Sequence, residues 1–149
     1  MDDTDRKILR VLQEDSSLSV ADIARQVNLS ASPCWKRINR MQEEGIINRQ
    51  VAVIDPQKVG FGITVFMSLQ TDAHSSSGIS DFSANVMEMP EVQECYRLAG
   101  DVDYQLKVVV ENVQQFDAFY KRLVDLAPLT KVTSRFAIET IKSTTSLPI

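Results

Sequence analysis

Histidine and cysteine are scarce in this chain: one histidine, His74, and two cysteines, Cys34 and Cys95, in 149 residues. So few ligands, with no paired spacing, build neither a zinc site nor a redox pair, and no metal or cofactor is expected. Both cysteines sit in apolar stretches and read as buried thiols. Long apolar runs are also missing. None approaches the roughly 20 residues that span a bilayer, and the opening Met1, Asp2, Asp3 and Thr4 is not a basic segment leading into an apolar one. No membrane span or secretory leader is expected from these absences, and cytoplasmic residence is the expectation that follows. Catalytic signatures are lacking as well. Ser75, Ser76 and Ser77 have no G-x-S-x-G surroundings, and the G-x-G at Gly60 to Gly62 precedes a strand-like run rather than a helix. His74, beside those serines, reads as a solvated loop residue, so no catalytic residue is assigned.

What remains is ordinary globular composition, 44% hydrophobic and 24% charged, enough for one medium domain or two small ones. The net charge of −4 argues against a surface that binds nucleic acid everywhere. The charge is uneven, however. Residues 1–50 hold eight acids and eight bases, and residues 51–149 hold twelve acids and eight bases, which places the whole excess in the second part.

The first part contains two short helical patterns joined by a tight turn, over residues 19–41. Val20, Ile23, Ala24 and Val27 recur at helical spacing behind Ser19, a candidate N-cap, with Asp22 in the first turn. Asn28 suits the left-handed backbone of a turn, Leu29 can plug the corner, and Ser30 or Ser32 with Pro33 starts the next helix. On that second helix Cys34, Ile38 and Met41 form one stripe, while Ser32, Pro33, Lys36 and Arg40 lie opposite and Arg37 sits at the edge. Trp35 falls on the flank and is expected to pack against the first helix of this pair. Short hydroxyls near a helix N-terminus with cations one turn on are what a major-groove reader needs, and the DNA-facing set is Ser30, Ser32, Pro33, Lys36, Arg37 and Arg40. A solvated helix with a charged face is the plainer alternative.

After Gly45, a C-cap candidate, residues 46–54 are β-rich and Asp55, Pro56 and Gly60 interrupt them, giving a linker strand and hinge over residues 48–60. The pattern then changes. A strand over 63–70, a helical stripe Ile79, Phe82, Val86 and Met89, strands over 92–98 and 104–110, a second stripe Phe116, Phe119, Tyr120, Leu123 and Leu126, and a strand over 132–141 give β-α-β-β-α-β. The fold class is therefore α+β, a helix-turn-helix domain over 1–60 and a ferredoxin-like domain over 61–149 with both helices on one sheet face. The other face calls for cover, and a second copy is the simplest cover.

Several motifs in this order resemble the Lrp/AsnC family of transcriptional regulators, the feast/famine regulatory proteins. They are D-x-x-D-R-K-I-L over 2–9, N-L-S-x-S-P-C-x-x-R over 28–37, G-I-I over 45–47, D-P-x-x-x-G over 55–60 and G-D-V-D-Y over 100–104. The closing I-K-x-T-T-S-L-P-I is similar to a subgroup that includes a regulator of cysteine detoxification. The resemblance implies a winged-type helix-turn-helix, a C-terminal RAM domain, double-stranded DNA as partner, and homodimers assembling further, to octamers. It also implies an amino-acid effector held between subunits, cysteine or another small or apolar amino acid. The implied effector residues are Gly100, Asp101, Asp103 and Tyr104, with Ser134, Arg135 and Phe136 from a neighbouring subunit. A glycine turn flanked by two carboxylates can accept hydrogen bonds from an α-ammonium group. The same sequence also makes an ordinary β-turn. A stand-alone amino-acid-binding module or a small metabolic enzyme on the ferredoxin-like half is the competing function, and it leaves the cationic helix unused.

Overall fold

Helix α1 (Asp3–Glu14) starts where Asp2 and Asp5 cap each other: Asp5 N–H donates to Asp2 Oδ1 at 2.8 Å and Asp2 N–H to Asp5 Oδ2 at 2.9 Å. This reciprocal box satisfies two amides that a helix start leaves without partners. The computed structural model describes residues 1–72, 76–126 and 128–149. His74 and Ser75 lie outside the described residues, as do the side chains of Ser76 and Ser77.

Helix α2 (Val20–Gln26) is capped by Ser19, whose hydroxyl accepts from Asp22 N–H. It ends on Asn28 at φ +57°, with Leu29 N–H reaching Ala24 O at 2.8 Å and Asn28 N–H reaching Arg25 O at 3.3 Å. Those two bonds close the helix through a left-handed residue, so the polypeptide turns within three residues into helix α3 (Ala31–Glu43). Gly45, at φ +71°, performs the same service after α3. Ile8, Leu9, Ile23, Ala24, Val27, Cys34, Ile38 and Met41 form one core between the three helices. Burial pushes the Cys34 thiol above its ordinary pKa, which keeps it protonated at neutral pH.

Two compact units result, Met1–Val53 with Ile141–Ile149, and Ile54–Thr140. The closing segment, placed in the second domain from sequence, thus belongs to the first unit. Its attachment is to α1: Leu147 N–H donates to Gln13 Oε1 at 2.6 Å, Gln13 Nε2 to Leu147 O, Ser146 Oγ to Gln13 O and Arg10 Nε to Ile149 O, while Ile149 packs against the helical core. The expected linker strand is absent among the described residues. Val51, Val53 and Ile54 are exposed and find no partner strand, and an unpaired β-rich sequence has no ladder to join.

The second unit follows β-α-β-β-α-β: β1 (Ile63–Thr71), α4 (Ser76–Met87), β2 (Val92–Arg97), β3 (Tyr104–Val110), α5 (Val113–Asp125) and β4 (Leu129–Phe136). The antiparallel sheet has the order β2-β3-β1-β4. Alternation decides its faces. Val65, Met67 and Leu69 of β1 with Leu106, Val108 and Val110 of β3 meet Phe82 and Val86 of α4 and Phe119 and Leu123 of α5, while Phe66, Ser68, Gln105 and Lys107 take the other face. Strand β4 stops five residues short of its expected end because Phe136 pairs with Val65, near the start of β1, and beyond it only Ala137 N–H still reaches Thr64 O. Cys95, read from sequence as buried, is exposed on β2 at the sheet's edge. No helix among the described residues is long and apolar enough to cross a membrane.

Candidate DNA-reading face and effector turn

Helix α3 presents its cations in two different ways. Arg37 and Arg40, expected to face outward, turn instead to the start of α1. Arg37 Nη1 lies 2.7 Å from Asp2 Oδ2 and 2.8 Å from Asp5 Oδ1, and Arg40 Nη2 lies 2.7 Å from Asp5 Oδ2. Asp5 is 1% exposed, so a buried carboxylate is surrounded by two guanidiniums and an amide. Burial alone would push its carboxyl up, but the Asp2 amide, Arg37 and Arg40 outweigh that and hold it at about 2. Its partners push the Arg37 guanidinium up in turn. These two arginines therefore fasten α3 to α1, a role that spacing on α3 alone does not reveal.

Arg40 nevertheless keeps 45% side-chain exposure, and the remaining members of the expected DNA set stand in the open. Ser30 is the N-cap of α3 yet its side chain makes no capping bond, and Ser30, Ser32, Pro33 and Lys36 are all exposed. Trp35, expected to pack against α2, is instead 53% exposed in the middle of α3 and does not join the helical core cluster. Asn39 is partly exposed one turn further along. Neither residue entered the sequence-derived set, although 32, 35, 36 and 39 follow the i, i+3, i+4, i+7 rule for a single helix face.

In the second unit, the 100–104 turn is tied to the end of β1. Asp103 N–H donates to Leu69 O at 2.9 Å, Leu98 N–H donates to Asp103 O, and Asp103 Oδ2 accepts from Thr71 N–H at 2.8 Å. Gly100 has φ +138°, a region that strains any residue with a Cβ. Tyr104 is buried, with its ring 4.4 Å from that of Phe82, so it belongs to the core. Of the four expected turn residues, Gly100 and Asp101 are exposed, and the Asp101 carbonyl accepts from Gln70 Nε2.

The three β4 residues separate. Ser134 pairs with Met67 on the helix-side row, and Phe136 sets its ring edge-on to Phe116 at 5.0 Å. Arg135 points to the opposite face and donates to Ser68 Oγ at 3.1 Å. Because Leu69 pairs with Tyr104 and Val65 with Phe136, the turn and the end of β4 lie four residues apart along β1, about 13 Å at the usual strand rise. Ser134, opposite Met67, lies only two residues from Leu69, about 7 Å along β1, and Arg135 reaches Ser68. Among the described residues, no group of three His, Cys, Asp or Glu could hold a metal ion.

A helix-turn-helix unit followed by a ferredoxin-like unit with a glycine–carboxylate turn defines a DNA-binding regulator with a ligand-binding domain. Residues 1–48 match the winged helix-turn-helix DNA-binding family, and residues 64–147 match the Lrp/AsnC ligand binding domain. The chain belongs to the Lrp/AsnC family of transcriptional regulators. It is 48% identical to the DNA-binding transcriptional activator DecR of Escherichia coli (strain K12), over 100% of this chain and 99% of that protein. Among solved structures, it is similar to an AsnC family transcriptional regulator from Agrobacterium tumefaciens, with TM-score 0.96, 54% identity and coverage of 99% and 97% of the two chains. A transcriptional regulator from Neisseria meningitidis in complex with L-methionine follows, with TM-score 0.94, 34% identity and coverage of 99% and 96%.

Proposed function

We propose that this regulator reads DNA through the outward strip of α3 and answers to a free α-amino acid bound at the 100–103 turn. The observation that carries the first part is the division of α3, where Arg37 and Arg40 are held by Asp5 while Ser30, Ser32, Pro33 and Lys36 stay exposed. In this reading the four exposed residues face the DNA, Lys36 neutralises a phosphate, and the two arginines position the helix. Lys36→Ala is expected to weaken binding to all duplexes alike and to lower the slope of log affinity against log salt by about one. Titrations at several salt concentrations check this; an unchanged slope counts against a phosphate contact by Lys36.

For the effector, the exposed Asp101 supplies a carboxylate for an α-ammonium group, and Gly100 lets the backbone approach it. The L-methionine in the Neisseria meningitidis structure and the cysteine-linked subgroup both favour a small or apolar amino acid. In this reading Ser134, Arg135 and Phe136 contribute from a second copy. The exposed Phe66 and Tyr96 on the uncovered sheet face favour a homodimer, with an octamer as the further assembly, to be measured by light scattering. Asp101→Ala should weaken L-cysteine or L-methionine binding about tenfold or more, the worth of a charged hydrogen bond, with basal DNA affinity unchanged. Calorimetry with both amino acids tests this, and undiminished heats would remove Asp101 from the site.

A further inference from the structure

Trp35 is the least expected side chain on α3. It is the single tryptophan of the chain, it stands 53% exposed on a helix whose neighbouring turns carry Lys36 and Arg40, and it makes no ring contact among the described residues. A large ring that is half exposed on the outward face of the second helix of a helix-turn-helix is placed to touch what that face meets. Its neighbours narrow the choice. Ser32, Trp35, Lys36 and Asn39 form one strip free of acidic residues, and the arginines that would crowd its edge are drawn away to Asp2 and Asp5.

We propose that Trp35 and Asn39 are the base-reading pair of this helix: the Trp35 indole lies against a thymine methyl group, and the Asn39 amide reads an adenine. The inference rests on the DNA reading above and adds the source of its specificity. The chemistry follows from what the major groove displays. Only thymine offers a methyl group there, and adenine presents an acceptor at N7 beside a donor at N6, which the carbonyl and amino group of one asparagine match together. Lys36, between them in sequence, has no acceptor and serves the backbone. Trp35 and Asn39 are four residues apart, about 6 Å along the helix axis, so their targets lie within about two base-pair steps of each other. The strip thus predicts an A·T-containing core in each half-site.

The test selects bound sequences from a randomised duplex pool with the full-length protein, Trp35→Ala, Asn39→Ala and Lys36→Ala, checking helicity of each by circular dichroism. Asn39→Ala is expected to erase an adenine preference of about 5- to 150-fold at one position. Trp35→Ala should erase a thymine preference of about fourfold, the worth of one buried methyl, at a position within two steps of it. Lys36→Ala should keep the whole preference profile. If Trp35→Ala and Asn39→Ala retain the parental profile, or weaken all sequences equally, the base-reading assignment is wrong while the DNA reading stands. A parental protein with no sequence preference would instead remove the DNA reading itself.

Discussion

Asp5→Ala is expected to lower the stability of the helix-turn-helix unit by about 3 kcal/mol, the lower end of the cost of breaking a buried ion pair from one side. The substitution removes the second half of the α1 capping box and leaves Arg37 and Arg40 without their shared partner. The figure stays low in its range because Arg37 and Arg40 retain 30% and 45% side-chain exposure, enough to turn toward water. Asp5→Asn should fall between the parent and the alanine variant, keeping part of the hydrogen bonding without the charge. Urea unfolding followed by far-ultraviolet circular dichroism checks this. A stability lowered by less than about 0.5 kcal/mol, the ordinary effect of a surface change, would show that the network holds nothing in place.

The same carboxylate sets an acid limit. Its folded-state pKa of about 2 lies below the ordinary aspartate value of 3.8, so the stabilisation is fully present above pH 3.8 and is lost as pH falls toward 2. That difference corresponds to about 2–3 kcal/mol. Stability measured between pH 4 and pH 2 should therefore fall more steeply in the parent than in Asp5→Ala. Equal slopes would contradict the assignment.

Tyr104→Ala is expected to cost the ligand-binding unit about 3–5 kcal/mol, as large aromatic truncations in cores do. Its ring is buried against Phe82 beneath the sheet, so the variant should lose amino-acid binding by losing the fold that shapes the turn. Asp101→Ala, at an exposed position, should leave stability within about 0.5 kcal/mol. Tyr104→Phe separates the two roles. Full stability with full binding is the expected outcome, measured by denaturation followed in the far ultraviolet together with calorimetry; full stability with lost binding would put Tyr104 in contact with the ligand.

Much of this architecture was legible because local periodicity and packing agree. The alternation from Ile63 to Leu69 and the stripe from Phe116 to Leu126, of which Phe119 and Leu123 are fully buried, fix which residues face inward, and the β-α-β-β-α-β order follows from them. Cys34, Ile38 and Met41 were readable as the inner stripe of α3 for the same reason, and Asn28 as its left-handed turn. The fates of Arg37 and Arg40 were not. Helical spacing says which way a side chain leaves its own helix, and the partner that captures it, Asp5, lies more than thirty residues earlier. The linker failed from the opposite direction: Val51, Val53 and Ile54 have strand-forming side chains, but a strand exists only where another pairs with it. At the candidate effector site, sequence marked the turn but could not separate the exposed Asp101 from the core-bound Tyr104.

The return of residues 141–149 to α1 bears on the order in which the protein takes shape during synthesis. Helices α1 to α3 leave the ribosome first, yet the segment that seats Ile149 against them arrives only after all of Ile54–Thr140 has emerged. The helix-turn-helix unit is therefore completed only after the intervening ligand-binding unit has emerged. A nascent helix-turn-helix waits, with Gln13 and Arg10 unengaged by that segment, until the ligand-binding unit has been made.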